Sequence, residues 1–374
     1  MSIQKITITE FLKLAKQYLV LDVRSPGEYT HAHIPGAYNL PLFSDEERKQ
    51  VGTTYKQQSR EAAIKIGLDF FGVKMRKMVE ETENVISGLS LDGSKEKELL
   101  NNNQPEARSI LIHCWRGGMR SAAVAWLLDM YGFKVYLLVG GYKAYRKWVL
   151  AQFEKEYNFN IIGGYTGSGK TLLLHALQKQ DKKIIDLEAL ASHKGSAFGA
   201  VVEKPQPNQE MFENMLAESL FVTDCPLAVT TNSQQSAVIY IEDESQRIGN
   251  LQIPMPLWMT MRKSAVYFLD IPFNERLKYI TKEYGKLEKA YLEEAILRIQ
   301  KRLGGLETKN ALNYLQDGKL KDCFRILLTY YDKWYQKGLN NRENLPSLLN
   351  KIPCTGVDTK TNTQKLLSCY IVSA

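Results

Sequence analysis

The chain has 374 residues, 44% of them hydrophobic and 24% charged, and a formal net charge of +8. That length exceeds one ordinary core and suits two domains, and the mixture is that of a soluble globular protein rather than a low-complexity or fibrous one. No stretch approaches the ~20 apolar residues of a membrane-spanning helix. The positive surplus is spread over both halves, which permits a polyanionic partner without requiring one. Met1-Ser2-Ile3-Gln4-Lys5 runs into amphipathic sequence with no signal-peptide core, so a cytoplasmic location is expected. Cys114, Cys225, Cys323, Cys354 and Cys369 are widely spaced and include no Cys-x-x-Cys pair. Neither a disulfide framework nor a structural zinc site is indicated.

In chain order, Tyr18–Val23 reads as a short buried strand that ends in the turn residues Ser25-Pro26-Gly27. Asp45–Gln58 is polar and basic, a loop or a surface helix. Ala62–Thr82 carries helical apolar spacing, and Ser94–Glu106 is a charged, Asn-rich loop. Ser109–His113 is a second buried strand that feeds Cys114–Arg120 and then a helix over Ser121–Met130. Lys134–Val139 is a third strand, and Tyr142–Tyr157 closes the first domain as a helix. Beyond it, Phe159–Ile162, Lys183–Leu187, Ala237–Ile241 and Ala265–Leu269 read as strands. Glu275–Tyr284, Leu287–Leu303 and Leu320–Lys337 read as helices, and Leu366–Val372 as a late strand. Strands that alternate with helices predict two parallel α/β domains, over 1–148 and 149–374, the second with a helical C-terminal part.

Two loops carry chemistry. Cys114-Trp115-Arg116-Gly117-Gly118-Met119-Arg120-Ser121 lies between a buried strand and a helix. In that position loop amides and the helix N-terminus converge on one spot, and Arg116 and Arg120 add full charge. Such a field favours a thiolate at Cys114 and cradles an anion. The second loop, Gly164-Tyr165-Thr166-Gly167-Ser168-Gly169-Lys170-Thr171, matches G-x-x-x-x-G-K-[ST] between a strand and a helix. Its amides, with Gly164, Thr166, Gly167, Ser168 and Gly169 setting the curve, suit a di- or triphosphate. Lys170 would reach the outer oxygens and Thr171 would hold Mg2+. The acid that completes such a site is Asp186, Glu242 or Asp243, each at a strand end.

Leu21–Tyr29, His33–Asn39 and the Cys114 loop together resemble the rhodanese domain. In that family the residues matching Asp22, Arg24 and Glu28 chiefly brace the fold. Five residues separate Cys114 from Arg120, one more than in simple rhodaneses. His113-Cys114-x5-Arg120 therefore also matches cysteine-dependent phosphatases, and a cysteine phosphatase or sulfurtransferase fused to an NTP-binding domain is the alternative reading. The Cys114 loop, Gly163–Thr171, Asp186-Leu187-Glu188, His193–Gly199, Ile239–Ser245 and Arg302-Leu303-Gly304-Gly305 are jointly similar to the bacterial tRNA 2-selenouridine synthase family, over essentially the full length.

That resemblance implies an enzyme that replaces the sulfur of wobble 2-thiouridine in the tRNA anticodon loop with selenium. Selenophosphate is the donor, drawn from a selenophosphate-supplying enzyme. A geranyl group from geranyl diphosphate first turns the sulfur into a leaving group, and the cysteine matching Cys114 serves the selenation half. On this view the P-loop holds geranyl diphosphate rather than a nucleotide. Phe198 and Met255–Met261 are candidates for an apolar slot or are simply core. Basic residues of the late helices, among them Lys301 and Arg302, and Arg247 and Arg262 beside apolar strands, are candidate tRNA contacts.

Overall fold

The structure, a computed structural model, describes residues 3–91, 108–194, 205–224 and 238–369. The chain forms two compact units, Met1–Ala151 and Gln152–Ala374. No helix among the described residues is long and apolar enough to cross a membrane. The expected loop over Ser94–Glu106, Phe198 and Cys225 lie outside the described residues.

The first unit is built on β1 (Gln4–Ile6), β2 (Leu19–Asp22), β3 (Tyr38–Asn39), β4 (Ser109–His113) and β5 (Lys134–Leu138). They make one five-stranded parallel sheet in the order β1-β5-β4-β2-β3. The middle strand, β4, is buried along its whole length, which is why its sequence is a continuous apolar run rather than an alternating one. Leu21, Ile110, Ile112, Val135 and Leu137 from the sheet pack with Val124 and Leu128 of the helix Met119–Tyr131. Asp45–Gln57 is a helix, started by a capping box between Ser44 and Glu47. The single helix expected over Ala62–Thr82 is two, Arg60–Gly72 and Met75–Leu91. The break is pinned where the Lys74 ammonium turns back onto Glu47 and the Leu42 carbonyl.

The second unit is built on β6 (Phe159–Gly163), β7 (Lys183–Ile185), β8 (Ile239–Glu242), the short antiparallel pair β9 (Arg247–Ile248) and β10 (Leu251–Gln252), β11 (Ala265–Asp270) and β12 (Leu349–Pro353). The main sheet is again parallel, in the order β12-β11-β6-β8-β7, with β6 in the middle. Helices Phe273–Tyr284, Lys289–Leu303, Gly305–Gln316 and Leu320–Asn340 form the helical part, around Leu277, Ile296, Ala311, Phe324 and Leu328. The late strand is β12, and the described part of the strand expected over Leu366–Val372, residues 366–369, is not a strand. Leu366 lies in a helix, Thr359–Ser368, that starts where Asp358 accepts from the Thr361 amide at 2.6 Å. Leu366 packs with Leu173, Leu174 and Leu177 of the helix Lys170–Gln178. β12 escapes sequence reading because it is an edge strand with only Ile352 buried.

The first unit depends on a buried ion pair at the end of β2. Arg24 and Asp22 are 1% and 0% exposed, with Nη2 to Oδ2 at 2.5 Å. The guanidinium also donates to the Ala32 carbonyl at 2.8 Å and lies 3.9 Å from the Tyr142 ring centre. Removing one partner leaves the other charge buried and unpaired, a loss of about 3–5 kcal/mol. Arg24→Met is expected to destabilise the first unit by about that amount in chemical denaturation, and Asp22→Asn combined with it to recover part of the loss. Unchanged stability in Arg24→Met would remove the pair as the brace.

Candidate active sites

Cys114 follows the last residue of β4 and is 3% exposed. Its Sγ lies 3.1 Å from Ser121 Oγ, and that hydroxyl donates to the Gly118 carbonyl at 3.1 Å. The thiol is thereby fixed at the floor of the loop, below the N-terminus of the helix Met119–Tyr131. The loop closes against the turn after β5. The Tyr142 amide donates to the Cys114 carbonyl at 2.8 Å and the Lys143 amide to that of Trp115 at 3.0 Å. This approach requires glycine. Gly141 has φ +59°, and a Cβ there would run into the Cys114 carbonyl. Gly117 has φ +65°, and its Cβ would lie 2.7 Å from the Leu138 carbonyl. Among the described residues, the amides of Trp115, Arg116, Gly117 and Gly118 donate to no acceptor. They supply the cradle for an anion above the thiol.

The two loop arginines have different circumstances. Arg116 is exposed and makes no ion pair among the described residues. Arg120 donates to Glu28 Oε2 at 2.6 Å and to Oε1 at 3.4 Å. Burial pushes the Glu28 carboxyl up, but the hydrogen bonds and charge of Arg120 outweigh it and hold Glu28 below the usual carboxylate range. Glu28 therefore does more than brace the fold, since it sets the position of the arginine that closes the loop. His113 is wholly buried, and neither ring nitrogen has a hydrogen-bond partner among the described residues. Burial lowers its pKa, so the ring is neutral.

In the second unit the P-loop follows β6. Gly164, Gly167 and Gly169 all have positive φ. A Cβ at Gly164 would meet Ser168 Oγ at 2.6 Å, and one at Gly167 would meet Ile280 Cδ1 at 2.5 Å. Lys170 Nζ donates to the Gly164 carbonyl at 3.0 Å, across the mouth of the loop. The helical part braces this loop from outside. Buried Arg276 donates to the Thr166 carbonyl at 3.1 Å and pairs with Asp332 at 2.7 Å. The Tyr335 hydroxyl accepts from the Gly164 amide at 3.0 Å and donates to Asp243 Oδ2 at 2.6 Å.

The structure separates the three acids. Glu242 stands at Thr171, whose Oγ1 lies 2.8 Å from Glu242 Oε1 and 3.0 Å from Glu188 Oε2. Asp243 is bound instead by Tyr335 and by buried Arg342. Asp186 accepts from the Ala189 amide at 2.8 Å, capping the short helix Leu187–Leu190, and meets His175 Nε2 at 2.8 Å. Glu188 and Glu244 are not among the acids expected from the sequence, although both lie in segments that carry the family resemblance; Tyr335 and Arg276 have no local signal. Glu242 Oε2 is buried without a partner. Burial first, then the charges of Glu188, Asp186 and Glu244, push the Glu242 carboxyl well above the usual range. Burial and Glu188 push Glu244 up to about 8. A buried carboxyl with a spare oxygen beside a P-loop hydroxyl fits a divalent cation. Among the described residues no group of three His, Cys, Asp or Glu could hold a metal unaided, so phosphate oxygens would complete its shell.

The candidate tRNA contacts are scattered. Arg247 is exposed on β9 and donates to the Gly249 carbonyl at 2.9 Å. Arg262, on the helix Met255–Lys263, donates to the Gly338 carbonyl at 3.1 Å and lies over Trp258. Lys301 and Arg302 are exposed at the end of the helix Lys289–Leu303. On the helix Met255–Lys263, Leu257 and Met261 are core, whereas Met255 and Met259 are exposed.

The profile of the tRNA 2-selenouridine synthase AAA domain matches residues 157–351, and that of the rhodanese-like domain matches residues 7–147. The chain belongs to the tRNA 2-selenouridine synthase family. It is 33% identical over 386 residues to the tRNA 2-selenouridine synthase of Bdellovibrio bacteriovorus, covering 91% of this chain and 94% of that one. The corresponding protein of Shewanella frigidimarina is 32% identical over 357 residues, 87% of this chain and 89% of its own. That of Nitrosomonas europaea is 38% identical over 269 residues, 71% of this chain and 63% of its own. The two family domains thus coincide with the two units that carry the Cys114 loop and the P-loop.

The raised carboxyls set a pH dependence for this family member. A group whose folded pKa is raised contributes stability below its unfolded pKa and loses it as pH rises through the folded value. The ligand-free chain should therefore lose thermal stability as pH climbs from the ordinary carboxylate range toward 8, where Glu244 titrates. Glu244→Gln should flatten that fall between about pH 5 and about pH 9. Parallel melting profiles for the two proteins would contradict the assignment.

Proposed function

We propose that the chain converts wobble 2-thiouridine of tRNA to 2-selenouridine, with selenophosphate as selenium donor and through an S-geranylated intermediate formed from geranyl diphosphate. The observation that carries the reading is the pairing, in one member of this family, of a buried thiol under an open amide cradle with a P-loop backed by carboxylates. The reaction has two halves with different demands, and each unit meets one of them.

Geranyl transfer forms a carbon–sulfur bond to the thiocarbonyl sulfur and breaks the carbon–oxygen bond of an allylic diphosphate. The leaving diphosphate carries the developing charge, so stabilising it is the main task. The P-loop amides and Lys170 suit such a group. Thr171 and Glu242 would hold Mg2+, which when bound neutralises part of the diphosphate charge. No nucleotide hydrolysis is needed, since the geranyl donor brings its own leaving group. The exposed Met255 and Met259 offer an apolar face for the chain.

Selenation requires a small selenium-bearing anion held apart from bulk water. The amides of Trp115–Gly118 and the Arg116 guanidinium suit selenophosphate. The Cys114 thiolate attacks its phosphorus, forming an S–P bond as the P–Se bond breaks; selenide leaves to attack C2 of the base, and water hydrolyses the phosphocysteine to return the thiol and phosphate. Geranylthiolate departs from C2 of the base as selenium arrives. The longer loop, with five residues between Cys114 and Arg120, has room for a phosphate-sized group. Soluble tRNA is then the shared substrate, and selenophosphate comes from a separate enzyme.

Nucleoside mass spectrometry of 2-thiouridine tRNA incubated with the chain separates the halves. Cys114→Ser is expected to lose selenouridine while still forming the geranylated nucleoside. Lys170→Ala is expected to lose geranylation by about 100-fold or more, the scale of one removed transition-state donor. Absence of both products with the unmodified chain, given both donors, would sink the proposal, as would a Lys170→Ala variant with intact geranyl transfer.

A further inference from the structure

One surface of the second unit is used by neither site. Trp334 is 44% exposed on the helix Leu320–Asn340, although tryptophan is ordinarily among the more buried residues. The Arg302 guanidinium lies 5.9 Å from its ring centre and the Lys337 ammonium 5.2 Å. Tyr330 meets the same ring edge-on, with centroids 6.4 Å apart. Tyr330, Trp334 and Lys337 fall at i, i+4 and i+7, on one helix face, and Arg302 comes from the end of Lys289–Leu303. Both cations are exposed and neither pairs with a carboxylate among the described residues.

An exposed indole flanked by two cations that pair with no carboxylate among the described residues, one of them turned also to the Tyr330 hydroxyl, is poor protein-core chemistry and good nucleic-acid chemistry. Every base has a π-face that stacks on an aromatic ring whatever its sequence, while the cations neutralise the phosphates on either side. Double-stranded RNA offers no free base face, so the partner is an unpaired stretch such as a loop. The helix that carries Trp334 also carries Tyr335, which accepts from the P-loop Gly164 amide. A nucleotide stacked on Trp334 would therefore be held on the element that braces the P-loop.

We infer that Trp334, with Tyr330, Arg302 and Lys337, is a stacking platform for an unpaired nucleotide of the RNA substrate. This deepens the proposed function and rests on its RNA substrate. It assigns the ring to a base and the two cations to the adjacent phosphates, and it makes the platform tolerant of base identity.

The test is equilibrium binding of 2-thiouridine tRNA to the full chain over a series of salt concentrations. Trp334→Ala should weaken binding by about 5- to 150-fold, the range that stacking of one base spans, and Trp334→Phe should restore most of it. Arg302→Gln and Lys337→Gln should each lower the slope of log affinity against log salt by about one. These surface changes should leave the circular dichroism spectrum and thermal midpoint unchanged. Trp334→Ala with the affinity of the unmodified chain would overturn the platform while leaving the proposed function standing. No tRNA binding by the unmodified chain would instead overturn the function on which the platform rests. If Trp334→Ala binds tRNA normally but shifts the sedimentation of the chain from oligomer to monomer, the patch is a protein interface and the platform is wrong.

Discussion

A parallel strand that ends in the middle of a sheet leaves amides with no neighbour to accept from them, and both sites are built on that constraint. β4 and β6 are the middle strands of their sheets, and each runs into a glycine-bearing loop and then a helix. At such an end the loop amides and the first turn of the helix face outward together. An anion satisfies them better than water does, because several fixed dipoles meet one charge. One fold solution has thus been used twice in one chain for two different phosphate-bearing co-substrates in the proposed reaction.

What differs is the group placed beneath the cradle. In the first unit it is a thiol, fixed by Ser121 and shielded from solvent. The neutral, buried His113 adds no competing charge there. In the second unit it is a hydroxyl facing the Glu242 and Glu188 carboxyls, whose proton affinity burial raises. A thiol under amides suits chemistry at a soft atom, and a hydroxyl with carboxyls suits a hard cation and a diphosphate. The proposed division of labour follows from these two side-chain sets.

Much of both sites was legible because their motifs are contiguous. Ser109–His113 and Phe159–Ile162 read as buried strands on their apolar runs, and the loops after them read as anion cradles on glycine and basic residues. The braces were not legible. Arg120 and Glu28 are 92 residues apart, and Gly164 and Tyr335 are 171 apart. Nothing in the local composition around Glu28 or Tyr335 marks the far partner. The C-terminal strand was misplaced for a related reason. β12 has a single buried residue, so its pairing with β11 rather than its own pattern makes it a strand.

The sequence by itself determined which family the chain belongs to and marked the two loops as its candidate sites, because strand, glycines and cation lie side by side along the chain. Only the tertiary structure decided which charges are free to act. Arg116 is open and Arg120 is held, because β2 leads into the short helix that brings Glu28 to Arg120 and not to Arg116. Glu242 rather than Asp243 meets Thr171, because neighbouring residues of an extended strand project to opposite sides. Asp243 is turned toward Tyr335 and Arg342, and Glu242 toward the P-loop.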